Sequence, residues 1–430
     1  MSAPVQTAPV AGVPDEAAVS LAPRAWRTPI LLAIVALLTL GFFGFFGADQ
    51  PVRFVWSGQD DALQLPSLEA SARVIGFVLA IIALLAAIAA AALTFLRRPV
   101  SVWLSVLVGV CFLGALTAWV GRGGDVPIVF LLSGAITLST PIVLAGLAGV
   151  IGERVGMVNI ALEGQLLAGA FTAALVASTT KSYTAALIAA MVVSALIAMV
   201  LALFAIKYLV DQVVVGVVLI GLVTAITNFL YSVVLSPNSA TMNTPGTLPV
   251  LTIPLLSDIP IIGPVFFSQR LTTYLMFVLV PLVWFVLFRT KWGLRIRALG
   301  EHPLAADTVG IKVNVWRFWT ISVAGIIAGL GGAALTIGSV GPFVREMSAG
   351  QGFIALAAVI LGRWNPWGVA LAALLFGFAS NFRVWAGQAG SAIPTDLIAM
   401  TPYVVTIIAV AIVAGRVLGP KAAGKPYIKE

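Results

Sequence analysis

Apolar positions along this chain come in long runs, and polar residues are largely confined to the stretches between them. Such runs lie at 29–47, 73–96, 99–120, 127–151, 162–179, 184–206, 213–235, 271–288, 315–338, 352–361, 367–383 and 398–415. Most reach the about 17–25 residues that an α-helix needs to cross a hydrocarbon core of about 30 Å. The pattern predicts an all-α integral membrane protein, a polytopic helical bundle of about 10–12 transmembrane helices. Two runs are irregular. Pro141 lies mid-run after Thr137, Ser139 and Thr140, and proline removes a helical hydrogen bond and clashes with the preceding turn, so a kinked or broken helix is expected. The run at 352–361 is too short to cross unaided and is followed by Trp364-Asn365-Pro366-Trp367-Gly368. It reads either as a broken or re-entrant helix, tolerated at membrane depth only where protein or a water-filled cavity satisfies its backbone, or as a tight hairpin.

Composition removes the soluble classes: 60% of the 430 residues are hydrophobic and 9% charged, against about 25% charged in ordinary domains. Charge placement sets the topology. Arg24, Arg27, Arg97, Arg98, Arg154, Lys207, the basic block at 289–317, Arg363, Arg416, Lys421, Lys425 and Lys429 fall on one side of the alternating spans. That side is cytoplasmic by the positive-inside rule, with both termini there. The opposite loops hold Asp49, Asp60, Asp61 and Glu69, and a nearly uncharged, proline-bearing stretch at 236–269. Residues 1–28 read as a disordered cytoplasmic tail rather than a cleaved signal peptide, and 420–430 as a second cytoplasmic tail. Cys111, the single cysteine, lies in an apolar run, permits no intramolecular disulfide and reads as a core residue.

Candidate chemistry is sparse. Glu163 is the only ionisable residue between Arg154 and Lys181. A charge at the centre of a membrane helix costs about 2.5–3.5 kcal/mol on insertion scales, so such a residue faces a polar pathway or a partner. Gly325 and Gly329 form a small-xxx-small pair, read as a packing face. In the loop at 289–317, Pro303 and Gly310 punctuate a short cytoplasmic helix from Pro303 to about Val309. Helices that short are marginal alone in water, so it should dock against its own bundle or a separate subunit. The chain has no G-x-x-x-x-G-K-[ST] phosphate loop, and its one histidine, His302, lies in that loop. No serine elbow or paired intramembrane carboxylates suggest an embedded enzyme, and a pump built this way needs an ATPase from elsewhere.

Three segments carry a family resemblance: the run from Gly152 through Glu153-Arg-Val-Gly-Met-Val-Asn-Ile-Ala-Leu-Glu-Gly-Gln to Phe171; Arg297-Ala-Leu-Gly-Glu-His-Pro-Leu-Ala-Ala-Asp-Thr-Val-Gly-Ile; and Leu361-Gly-Arg-Trp-Asn-Pro-Trp-Gly. In this order they resemble permeases of bacterial nucleoside ABC importers, within a wider group that includes branched-chain amino-acid and ribose-type sugar permeases. Sugar permeases of that group tend to carry Gly-Gly-Ile-Asp-Leu-Ser-Val-Gly at the first motif and amino-acid ones Asn-Phe-Ala-His-Gly. Val158-Asn-Ile-Ala-Leu-Glu-Gly164 is most similar to the nucleoside type.

The resemblance covers about 127–419 as the permease core, leaving 29–126 as an amino-terminal extension with about three transmembrane helices. It implies a bacterial cytoplasmic-membrane protein, a second homologous permease (a heterodimer), a cytoplasmic ATPase pair that uses ATP and Mg, and an extracytoplasmic substrate-binding lipoprotein. No cofactor or metal bound by this chain and no nucleic acid is expected, and the surrounding lipid is the remaining partner. The helix at 303–309 becomes the coupling helix, with Arg297, Gly300, Glu301, Pro303, Ala306, Asp307 and Gly310 as coupling residues. For an uncharged substrate, Asn159, Glu163, Gln165, Asn228 and Gln351 are the candidates to line the path. Each amide equally suits a buried bridge between helices, and Glu163 equally suits capping a half-helix that starts near Asn159. The loop at 236–269 is either a docking surface for the lipoprotein or a connector. Permeases for simple sugars or branched-chain amino acids, an ion-coupled secondary transporter and a membrane assembly subunit remain as alternatives.

Overall fold

The computed structural model describes residues 26–47, 49–58, 63–388, 400 and 419–429. The apolar runs become helices: α1 (Arg27–Thr39), α2 (Ala72–Phe95), α3 (Val102–Val120), α4 (Ile128–Arg154), α5 (Leu162–Thr180), α6 (Tyr183–Lys207) and α7 (Gln212–Leu230). A short α8 (Ser239–Met242) precedes α9 (Leu271–Arg289), α10 (Lys291–Glu301), α11 (Pro303–Thr308), α12 (Val313–Leu335), α13 (Gln351–Leu361) and α14 (Pro366–Gln388). Among the described residues nine helices are long and apolar enough to cross a membrane. To these α5 adds a buried helix of similar length whose first turn carries Glu163 and Gln165. The run expected at 398–415 and most of the tail at 1–28 lie outside the described residues.

Pro141 does not break its helix. α4 runs through it from Ile128 to Arg154. Hydroxyl groups in the preceding turn bond back onto the helix, though not to the Thr137 carbonyl from which the proline ring removes the donor. Ser139 Oγ and Thr140 Oγ1 donate to the Ile136 carbonyl at 2.8 and 3.0 Å, and Thr137 Oγ1 to that of Ser133 at 3.1 Å. At 352–361 the structure has a short helix, α13, of 11 residues, about 16 Å at 1.5 Å per residue, roughly half a hydrocarbon core, joined to α14 by the turn at 362–365. The basic block at 289–317 holds α10 as well as the short helix expected there.

The main core forms around α4, α5, α6 and α12, and α12 is buried on nearly all sides. Its glycines make that possible. A Cβ on Gly329 would fall 2.4 Å from the Ala190 carbonyl oxygen and 2.7 Å from Met191 Cα, and one on Gly325 2.6 Å from Ala198 Cβ. The packing reading of this pair is therefore correct: α12 and α6 meet backbone to backbone. Gly329→Leu should abolish recovery of monodisperse protein from detergent, read by size-exclusion chromatography; wild-type yield and thermal stability would contradict close packing here.

α1, α2 and α3 build a separate core from an alanine stripe, Ala83, Ala86, Ala87 and Ala90, with Leu32, Ala36, Val108 and the buried Cys111. They join the rest through a third cluster in which Val52, Val126 and Leu131 meet Phe382 and Trp385 of α14. A small sheet lies here, β1 (Pro51–Val55) between antiparallel β2 (Leu68–Ser71) and parallel β3 (Asp125–Pro127). Arg53 donates to both Asp125 oxygens, at 2.7 and 2.5 Å, across it. That hydrogen bonding and the guanidinium charge hold the Asp125 carboxyl below the usual carboxylate range. In the loop at 236–269, β4 (Val250–Thr252) pairs with β5 (Ser268–Arg270).

Candidate functional site

The site is built where α4 ends, α5 begins and the half-helix α13 enters the bundle. α4 stops at Gly156, whose φ of 90° no other residue adopts cheaply, and Met157 N–H closes the turn on the Gly152 carbonyl at 2.8 Å. The next strand of chain is held by Gln212 of α7, whose Oε1 accepts from Val158 N–H at 2.7 Å. Asn159 and Gln165 have no exposed surface. Their amides pair with each other, Asn159 Nδ2 donating to Gln165 Oε1 at 3.2 Å, and Ser194 of α6 donates to the Gln165 carbonyl at 2.7 Å.

Glu163 turns the other way, toward α13. Its Oε1 accepts from Gly350 N–H at 2.8 Å and its Oε2 from Gly352 N–H at 2.6 Å. The first backbone N–H groups of any helix lack intrahelical partners and carry partial positive charge, and inside a membrane protein water cannot serve them. A carboxylate is therefore a fitting cap. The half-helix it caps starts at Gln351, not near Asn159. Contact is close because Gly352 has no side chain: a Cβ there would lie 2.4 Å from Glu163 N and 2.5 Å from its Cα.

The other end of α13 is held by the same motif. Trp364 follows α13 in a left-handed conformation, with φ of 52°. Its indole N–H donates to the Glu153 carboxylate, while its carbonyl accepts from Arg154 Nε and Nη2 at 3.2 and 3.0 Å. Two of the sequence motifs, 210 and 211 residues apart at these contacts, are thus spatial partners, and the first of them holds the half-helix at both ends.

The segment at 341–350, between α12 and α13, carries a second polar group. Asn228 Nδ2 of α7 donates to Glu346 Oε1 at 3.2 Å. Arg345 lies over the Tyr231 ring, 5.2 Å from its centroid, and donates to Ser232 Oγ at 2.7 Å. Asn228 Oδ1 and Gln351 Oε1 are buried acceptors without a protein donor. The structure therefore brings Glu163, Gln351 and Asn228 around one irregular segment and encloses Asn159 and Gln165 beside it. Glu153, Trp364, Arg345 and Glu346 were not singled out as site residues from the sequence. The signal for the last two was present, since they are the only charges between Arg317 and Arg363.

On the basic side, α10 buries Ile296, Leu299 and Gly300. Gly300 sits against the end of α4, where a Cβ would fall 2.2 Å from the Arg154 carbonyl oxygen. Arg297 lies over the Phe288 ring at 5.3 Å, and Glu301 closes α10. Pro303 opens α11, Ala306 is its buried residue, and Gly310 (φ 86°) follows it. Asp307 faces Lys429 at 3.6 Å. Leu304 and Val309 are 54% and 75% exposed. No group of three or more His, Cys, Asp or Glu side chains suited to a metal ion occurs among the described residues.

A family model described as branched-chain amino acid transport system / permease component matches residues 131–414. The chain is 37% identical over 308 residues to the nucleoside ABC transporter permease protein NupC of Lactococcus lactis subsp. cremoris, covering 70% of this chain and 96% of that one. It is 38% identical over 303 residues to the guanosine ABC transporter permease protein NupQ of Bacillus subtilis, covering 68% and 95% respectively. A putative glucose ABC transporter permease protein, TsgC13 of Haloferax volcanii, is 34% identical over 258 residues, 59% of this chain and 77% of that one. No solved structure matches significantly. With the match spanning well over half the chain, and with nine apolar helices of crossing length among the described residues, this multi-pass membrane protein belongs to the branched-chain amino acid transport system permease family.

Proposed function

We propose that the chain is one of two permease subunits of an ATP-driven importer of nucleosides, working with a cytoplasmic ATPase that uses ATP and Mg and with an extracytoplasmic binding lipoprotein. Its amino terminus, residues 289–317 and residues 419–429 face the cytoplasm, consistent with the distribution of basic residues. Residues 29–126 form an extension outside the permease core. The substrate class rests on the similarity to the nucleoside and guanosine permeases over nearly their whole length.

The observation that carries the mechanism is a continuous set of contacts from the cytoplasmic loop to the half-helix. α11 offers Leu304, and its C-terminal flank Val309, to the ATPase. α10 abuts the Arg154 carbonyl through Gly300, Arg154 holds Trp364, and Trp364 ends the segment whose other end Glu163 caps. Closure of the ATPase dimer, delivered at α11, reaches α13 through packed groups and not through a flexible loop. Movement of α13 against α5 then opens the path to one side or the other. Nucleosides are uncharged and rich in donors, which suits the spare acceptors on Asn228 and Gln351.

The test is ATP hydrolysis by the reconstituted complex with its binding protein. Nucleosides should stimulate hydrolysis at least about tenfold more than glucose or leucine, the tenfold being what about 1.4 kcal/mol less activation free energy gives. Stimulation by glucose with none by any nucleoside would move the chain to the sugar permeases, a reading that the Haloferax relative keeps in view.

A further inference from the structure

The carboxy-terminal segment, residues 419–429, has the sequence of an ordinary polar tail, yet it lies across the cytoplasmic face and touches all three sequence motifs. Gly419 packs on the Trp364 indole, where a Cβ would be 2.8 Å from Cζ2. Ala422 N–H donates to the Gly300 carbonyl at 2.9 Å, and Gly424 N–H to that of Gly156 at 3.3 Å. The Lys425 carbonyl accepts from Arg317 Nη1 at 3.1 Å, while Arg317 Nε donates to the Val155 carbonyl at 3.3 Å. Arg317 is 2% exposed, and Tyr427, 8% exposed, enters the main core. Lys429 then reaches Asp307 of α11 at 3.6 Å.

This arrangement does more than cover the protein. A segment without helix or strand is ordered only if its contacts offset the lost chain entropy. Here the contacts are a buried guanidinium that needs carbonyl acceptors, a buried tyrosine and two backbone hydrogen bonds. The acceptors come from two places, the α4–α5 turn and the tail, so Arg317 joins one to the other. Gly300 is gripped from both sides, by the Arg154 carbonyl and by Ala422 N–H.

We propose that residues 419–429 are a positioning strap that fastens α10 and α11 to the Gly156 turn and the Trp364 loop, so that the coupling loop and both grips on α13 move as one body. Without the strap, ATPase closure displaces α11 relative to α4 and only part of the movement reaches α13. The inference rests on the coupling role proposed for α11. It names Arg317, Tyr427 and Lys429 as positioning residues, since none of them touches the ATPase or the substrate in this reading.

The test uses the full complex in liposomes and measures guanosine transported per ATP hydrolysed. Chains ending at residue 418 should still co-purify with the ATPase but transport at least about fivefold less per ATP. Tyr427→Ala, a milder release of the strap, should lower the ratio in the same direction. Asp307→Lys should lower it about two- to fivefold, as expected for an exposed pair, and Asp307→Lys with Lys429→Asp should restore it. A merely structural role would reduce yield and leave the ratio alone. An unchanged ratio in the Tyr427→Ala variant, or no restoration by the charge exchange, overturns the strap. A wild-type complex that fails to transport guanosine at all overturns the underlying functional reading and the strap with it. If the wild type transports and the variants keep its ratio, the strap alone falls.

Discussion

Replacing Glu163 with glutamine is expected to cut uptake at least about tenfold and to destabilise the bundle by about 2 kcal/mol or more, because one of its two hydrogen bonds is replaced by an N–H facing an N–H. Hydrogen bonds to a charged acceptor contribute about 1.5–3 kcal/mol each, and an unserved buried donor costs about as much. Alanine should be worse, since it leaves both Gly350 and Gly352 N–H groups unserved and opens a void beside α5. Aspartate reaches less far and should fall between glutamine and wild type. The decisive comparison is uptake per folded transporter, with the folded fraction taken from size-exclusion profiles. Normal uptake per folded molecule with lower thermal stability would confine Glu163 to a structural cap. Reduced uptake at normal yield would show that the grip on α13 is part of the transport cycle.

The second large effect belongs to the coupling loop. Leu304→Asp with Val309→Asp should abolish co-purification of the ATPase, at least about 30-fold in affinity, equivalent to the loss of about 2 kcal/mol expected when an interface hot spot is removed. Leu304 lies on a six-residue helix and Val309 directly follows it; both are exposed apolar groups, and the helix's buried residue, Ala306, is untouched. The permease itself should therefore keep its detergent stability. Retention of the ATPase by the double variant would place the contact elsewhere on the cytoplasmic face.

Much of this architecture is legible from hydropathy alone, because a hydrocarbon solvent leaves the backbone few options. The half-helix α13 is legible for the same reason: ten apolar residues bounded by Trp364-Asn365-Pro366 are too short to cross. Pro141 predicts a kink or a break, and of the two the break is absent, since α4 runs on through it from Ile128 to Arg154. α10 is missed because Gly293, Gly300 and its basic residues look like a loop; the glycines are there for contact with α9 and α4.

At the site, Glu163 is visible as an anomaly, but its partners lie 187 and 189 residues away and donate through backbone, which leaves no mark in side-chain chemistry. Asn159 and Gln165 read as possible path residues because any membrane amide does. The structure pairs the two with each other and leaves neither any exposed surface. The strap is hidden for a related reason, since its hydrogen bonds to Gly156 and Gly300 run through peptide groups and its sequence is that of a solvated tail.

The most direct measurement of the central claim is release of radiolabelled guanosine, enclosed together with the binding protein, from liposomes carrying the complex with its ATPase on the outside, where ATP and Mg are supplied. The account predicts export from the binding-protein side that requires ATP, persists in the presence of an uncoupler and stops when the ATPase is catalytically dead. Transport that collapses with the uncoupler and ignores ATP would contradict it, and would make this chain an ion-coupled carrier instead.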